Sequence, residues 1–209
     1  MKQTTRAYQQ TVRAEQATAN GERMLEAAVA LLEAATRVSD VTLDAVAARA
    51  GVTVRTILRR FGTRDALLQA AFHRMAQNIG TNRPLPAAGD VAAAVESLTA
   101  QYERFGEFIL KMLEQEHDLP VLSQLVTYGR SRHRAWLEQV FAPQLASLEA
   151  GDRRQRVIEL YAATDVYLWK LFRRDFRLTR KQTAESFHNL ITAVLTRRQA
   201  RPSPSGGSR

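Results

Sequence analysis

The run TLDAVAARAGVTVRTILRRFG, residues 42–62, constrains this chain more than any other stretch. Two short apolar-periodic segments meet there across one glycine. Val46, Ala47 and Ala50 recur at three- and four-residue spacing, which places them on one helix face. Gly51 follows where a tight turn needs a positive φ, a conformation glycine adopts at least cost. Thr42 and Thr53 stand where each helix needs an N-cap. Val52 and Ile57 supply apolar contacts to the second helix, and Ile57 and Phe61, four apart, hold its inner side to a core. Small Ala47 lets the two helices approach closely at a steep angle. The pattern is that of a helix-turn-helix unit.

Charge gives this unit a chemistry. Between Asp44 and Asp65 lie Arg49, Arg55, Arg59, Arg60 and Arg64, with no acid among them. The whole chain carries a formal net charge of +9, so some excess of arginine is general, but this clustering is local. A local cationic cluster is the electrostatic footprint of a nucleic-acid binder. The second helix offers Val54, Arg55, Leu58 and Arg59 on its outer side. Arginine's fork pairs with guanine O6 and N7 or with phosphate oxygens. Val54 or Leu58 suits thymine methyls, and Thr42 and Thr53, with the amides at helix starts, are the expected phosphate contacts. The bland alternative is a solvated basic helix in an all-α domain.

The rest of the chain also reads as helix. Glu22–Ala35 carries Met24, Leu25, Ala28, Leu31 and Leu32 on one face. Thr63 and Asp65 open DALLQAAFHRMAQNI. Helical patterns then cover about 90–115, 120–149, 152–175 and 179–198, with Pro143 expected to break or kink the second of these. No stretch shows strand alternation bounded by turn signals. The expected organisation is a polar N-terminal arm over 1–20, a helix-turn-helix DNA-binding domain over 21–80, a helical domain over 90–198 and a disordered tail over 199–209. GTNRPLPAAGD, residues 80–90, has two prolines and two glycines and marks the boundary.

At 209 residues the chain can bury a substantial core. It has no cysteine, which excludes disulfides and thiolate chemistry. The start lacks the apolar core of a signal peptide, and no apolar run approaches the ~18 residues of a membrane span, so the cytoplasm is the expected location.

The run RMLEAAVALLEAATRVSDVTLDAVAARAGVTVRTILRRFGTRDALLQAAF resembles the DNA-binding domain of TetR-family transcriptional regulators. The first helix, the AARAGV turn, the T-I-L-x-x-F recognition helix and the T-R-D-A-L-L opening of the next helix carry the resemblance jointly, over about fifty residues. The all-helical remainder fits the family's ligand-binding and dimerisation domain loosely. Two positions depart from the family. Leu58 stands where a tyrosine usually touches a phosphate, and Val54 stands where a lysine is frequent. Arg55, Arg59 and Arg60 are available to take over those contacts, and Arg64, where the family commonly has lysine, is implied to contact a phosphate.

The resemblance also implies an effector cavity among the later helices. Candidate lining residues are Tyr102, Phe105, Met112, Tyr128, His133, Trp136, Tyr161, Asp165 and Trp169. Aromatic stripes at helical spacing are ordinarily core, so His133 and Asp165, polar among apolar neighbours, are the better indicators. Asp165 is equally suited to a structural pairing with an arginine. The last two helices carry apolar stripes, and Phe172, Phe187, Leu190, Ile191 and Val194 are expected at a homodimer interface. A dimer also suits helix-turn-helix readers, whose two recognition helices enter successive major grooves ~34 Å apart.

Enzyme signatures are missing: there is no HExxH, GxSxG, P-loop or GxGxxG. Glu114, Glu116, His117 and Asp118 read as a charged helix end beside Pro120 and not as a metal site. No cofactor is expected. The function expected is a non-enzymatic, homodimeric transcriptional regulator, a repressor released from double-stranded DNA by a small, partly apolar molecule. A ligand-independent helical DNA-binding protein is the alternative, and an all-α enzyme with an unrecognised site is a more distant one.

Overall fold

Amphipathic periodicity produces helices throughout, as a computed structural model describing residues 2–81 and 83–197 shows. They are α1 (Lys2–Ala34), α2 (Leu43–Ala50), α3 (Val54–Phe61), α4 (Arg64–Thr81), α5 (Val91–Glu114), α6 (Pro120–Val140), α7 (Ala142–Leu145), α8 (Ala150–Ala163), α9 (Val166–Lys170) and α10 (Arg180–Thr196). A 3-10 turn, Val38–Asp40, precedes α2, and α9 continues into a π-helical turn, Leu171–Asp175. No strand occurs among the described residues. The tail expected over 199–209 lies outside them.

Several boundaries differ from expectation for identifiable reasons. The polar arm is backbone-continuous with the first helix, so α1 starts at Lys2. Pro143 sits in the first turn of α7, where its missing N–H costs nothing, so it starts a helix after α6 has ended. The helix expected over 152–175 is interrupted at Thr164, and Asp165 restarts it as the N-cap of α9 by accepting the Tyr167 N–H at 2.9 Å. That contact gives Asp165 a structural task.

The chain forms two compact units. One comprises residues up to Pro84 together with Arg104–Arg132; the other comprises Leu85–Glu103 and the chain from His133 onward. The first unit therefore takes in a segment that the sequence pattern grouped with the later helices. Its core combines Met24, Ala28 and Leu32 of α1, Val46 and Ala47 of α2, Ile57 of α3, Leu67, Leu68 and Phe72 of α4, Met112 of α5, and Leu122 and Val126 of α6. Polar contacts reinforce this capture. Lys111 donates to three carbonyls at the C-terminal end of α1, Leu32 at 2.6 Å, Ala35 at 2.8 Å and Glu33 at 3.2 Å. A cation at that position complements the negative end of the helix dipole. Burial lowers the Lys111 ammonium's pKa from its ordinary value, and Glu33 opposes that shift. Buried Gln115 accepts the Val38 N–H at 3.0 Å and donates to Thr36 O at 3.2 Å. The acidic cluster ending α5 is paired, Glu116 with Arg130 at 2.6 Å and Asp118 with Arg37 at 2.5 Å.

In the second unit, Leu98 and Tyr102 of α5, Leu137 of α6, Leu160 of α8, Trp169 of α9, and Phe187 and Ile191 of α10 are buried. Tyr102 lies 6.3 Å from Trp169 and 6.4 Å from Phe187, ring centre to ring centre. Arg156, buried on α8, donates to Leu195 O and Arg197 O at 3.0 Å each and so closes the C-terminal end of α10.

Candidate nucleic-acid interface

The two threonines act as the sequence pattern requires. Thr42 Oγ1 accepts the Ala45 N–H and Thr53 Oγ1 accepts the Thr56 N–H, each at 3.2 Å. Each cap satisfies one of the first-turn amides that an α-helix start leaves without an intrahelical partner. Gly51 has φ 67° and ψ 38°, the left-handed turn between the helices. The Val52 N–H returns to Ala47 O at 3.0 Å, which ends α2 and sets the angle to α3.

Ile57 is fully buried and defines the inward direction of α3. At about 100° per residue, Arg55 and Arg59 lie roughly 160° to either side of it, pointing straight outward. Leu58 lies about 100° to one side, is 39% exposed, and forms an apolar flank. Val54 lies only about 60° from Ile57 and packs against the core, so the structure gives it an anchoring place and no outward face. Thr56, on the other flank, is held by Thr53 through a 2.9 Å hydroxyl contact.

The five arginines divide into two groups. Arg49, Arg55 and Arg59 are exposed and face no carboxylate among the described residues. Arg60 turns back over α1, where a Cβ placed on Gly21 would meet its Nε at 3.4 Å. Arg64 departs furthest from the phosphate contact implied for it. Its Nε donates to Val41 O at 2.8 Å, and its Nη2 donates to Val38 O at 2.8 Å and Ser39 O at 3.2 Å. Its Nη1 lies 3.6 Å from Asp65. Arg64 therefore fastens α4 to the turn before α2. Neither Arg60 nor Arg64 had a sequence signal separating it from Arg55 and Arg59; only the partners brought close by folding do so.

A cationic, outward α3 set on a glycine turn is a DNA-reading element, and residues 24–71 match the model of the bacterial regulatory proteins of the tetR family. Residues 24–71 therefore form a DNA-binding domain of the tetR type. The fold as a whole is shared with solved structures. A transcriptional regulator from Rhodococcus sp. Rha1 superposes with a TM-score of 0.64 at 18% identity, covering 84% of this chain and 95% of that one. A candidate regulator from Pseudomonas aeruginosa PAO1 gives 0.63 at 17%, covering 84% and 89%. Another from Streptomyces coelicolor A3(2) gives 0.57 at 24%, covering 83% and 98%. No curated protein matches the chain.

The expected effector residues fall into different places. Met112 is buried in the core of the first unit, Tyr128 is 51% exposed, and Phe105 lies beneath the Arg104 guanidinium at 4.9 Å. The other candidates meet in the second unit around Thr164, which the sequence reading missed. Tyr102 donates its hydroxyl to Thr164 O at 2.7 Å. Thr164 donates its own hydroxyl to Leu160 O at 2.7 Å. The same hydroxyl lies 2.9 Å from His133 Nε2, a hydrogen bond whose direction follows the imidazole tautomer. The His133 ring stacks over Trp136 at 6.2 Å and meets Tyr161 edge-on at 4.9 Å.

Other buried polar groups were also illegible. Thr99 on α5 and Thr183 on α10 are fully buried, and neither hydroxyl has a hydrogen-bond partner among the described residues. They sit at one level: Glu96 pairs with Arg180 a turn before them, and Tyr102 meets Phe187 a turn after. The Glu103 carboxylate, also unforeseen, accepts from Arg173 Nε at 2.6 Å and Nη2 at 3.0 Å, and from the Trp169 indole at 3.0 Å. The Arg173 hydrogen bonds lower the Glu103 pKa most; partial burial opposes them, while Trp169 and the charges of Arg173 and Arg180 add to them.

The interface stripe divides as well. Phe187 and Ile191 lie in the chain's own core, and Phe172 meets Phe187 edge-on at 5.5 Å, because α10 turns that face toward α8 and the π-helical turn. Leu190 remains exposed and Val194, four residues on, is half-covered.

Proposed function

We propose that this DNA-binding regulator is a homodimeric repressor released from its operator by a small, partly apolar molecule, acting in the cytoplasm without enzymatic chemistry. The observation that carries the DNA role is the outward-facing pair Arg55 and Arg59 on α3, which meet no carboxylate among the described residues. The ligand reading rests on Thr99 and Thr183. A buried hydroxyl without a partner costs ~1–3 kcal/mol, and a polar group of a bound molecule would offset that cost. Ligand release requires tighter binding to the DNA-incompetent arrangement than to the competent one. A coupling of ~1–3 kcal/mol would weaken operator affinity roughly 5- to 150-fold.

Dimerisation draws support from exposed apolar residues of the second unit, Ile158, Tyr167, Phe176 and Leu190. No helix among the described residues is long and apolar enough to cross a membrane. The second reading, a ligand-independent DNA-binding protein, is favoured by the Tyr102–Thr164–His133 network, whose members satisfy one another as a core would. A thermal-shift screen of small partly apolar compounds, repeated with operator present, separates the two. A compound that raises the melting temperature and weakens operator binding supports release; binders that leave DNA affinity unchanged contradict it. Leu190→Glu with Val194→Glu should yield monomers with lost operator affinity, and a wild type that scatters light as a monomer at micromolar concentration overturns the dimer.

A further inference from the structure

Given that α3 reads duplex DNA, we propose that its half-site contains two G·C pairs no more than two steps apart, read by Arg55 and Arg59, with a thymine beside the one nearer Arg59, read by Leu58. Arg60 is turned back over Gly21 and Arg64 is committed to the carbonyls of Val38, Ser39 and Val41. Val54 packs on the core and Thr56 is held by Thr53. On the outward half of α3 this leaves Arg55, Leu58 and Arg59.

Arg55 and Arg59 are four residues apart, which is about 6 Å along the helix axis. Successive base pairs rise 3.4 Å, so two forks at that separation meet pairs within about two steps. Guanine presents N7 and O6 together in the major groove, the acceptor pair a guanidinium matches bidentately. Leu58 has no polar atom to offer and is exposed on the flank, one residue before Arg59. The thymine methyl is the major-groove feature that apolar surface recognises.

The test is selection from random duplexes with the full-length wild type and with Arg55→Ala, Arg59→Ala and Leu58→Ala, each checked for an unchanged melting curve. Wild type should enrich the G·C pair spacing stated above. Each arginine variant should lose preference at one of the two positions and bind the selected site roughly 5- to 150-fold more weakly. Replacing the matching guanine with 7-deazaguanine should reproduce much of that loss in wild type and add little in the variant. Uracil in place of the thymine should weaken wild type and leave Leu58→Ala unaffected. The proposal is overturned if the enriched motif lacks the two guanines, or if the arginine variants weaken every duplex alike and lower the salt slope by about one each, the mark of phosphate contacts. If wild type enriches no duplex at all, the DNA-reading function itself falls along with the proposal.

Discussion

Helix α3 and the segment from α9 through α10 are both rich in cations, yet they use them oppositely. In the later segment Lys170 faces Asp175, Arg173 faces Glu103, Arg180 faces Glu96, Lys181 faces Glu185 and Arg197 faces Glu159. Arg174 lies over the Trp169 ring at 5.6 Å. On α3, Arg55 and Arg59 have no such partner among the described residues. Net charge alone would treat the two regions as equal. The difference teaches that a cation's role follows from whether folding has supplied its counter-charge. Where it has, the cation organises the fold; where it has not, a polyanion outside the chain can supply it.

The sharpest way to break this comparison is to remove the unpartnered pair. Arg55→Ala with Arg59→Ala should reduce specific operator affinity by ~2–6 kcal/mol in total, with the melting temperature unchanged. Unaltered affinity in a gel-shift assay would show that an exposed, unpaired cation is not evidence of DNA contact here. The next test takes a partnered cation within the DNA-binding unit. Arg64→Met should destabilise the first unit by ~1–3 kcal/mol, because the carbonyls of Val38 and Val41 lose a charged donor. The salt slope of DNA binding should stay as in wild type, since Arg64 is held by the chain itself. A slope reduced by about one with intact stability would restore the phosphate role.

The smallest effect belongs to the second unit. Glu103→Gln should cost ~1 kcal/mol or less near neutral pH, because the pair with Arg173 is partly solvated. Its pH dependence has a definite sign. The folded Glu103 pKa is lowered, chiefly by Arg173, so its contribution is full above the unfolded carboxylate value of about 4.3 and is lost as pH falls through the lower folded value. The stability difference between wild type and Glu103→Gln should therefore shrink below about pH 4.3 in acid-melting experiments. A constant difference across that range would mean that Glu103 acts through packing and not through charge.

What the sequence made legible was local. Thr42, Gly51 and Thr53 define caps and a turn from their own side chains or backbone freedom, and all three act as that chemistry requires. Ile57 follows from spacing, and it is buried. What remained hidden depended on contacts far along the chain. Arg64 and Arg55 are the same residue type nine positions apart, and only the carbonyls of Val38–Val41 distinguish them. Phe187 and Leu190 lie on one apolar stripe, but Tyr102 and Phe172 cover the first while the second stays exposed. Asp165 looked like a ligand-orienting group because helical periodicity appeared to run through it; the unforeseen break at Thr164 made it a cap. Lys111 and Gln115 gave no sign of joining the first unit, since their partners lie more than seventy residues earlier.

The isolation of positions 55, 58 and 59 has a consequence for how this protein can change over generations. Among the described residues these side chains have no hydrogen bond or ion pair, while Ile57, Phe61 and the Gly51 turn hold α3 in place. Exchanges at the three positions therefore cost the fold little, and the folded population stays constant while the preferred operator shifts. Paralogues could diverge onto new promoters through these codons alone, without a compensating change elsewhere in the first unit. The same property makes the trio a natural choice for a randomised library selected on a reporter, where most members would still fold and differ in the DNA they recognise.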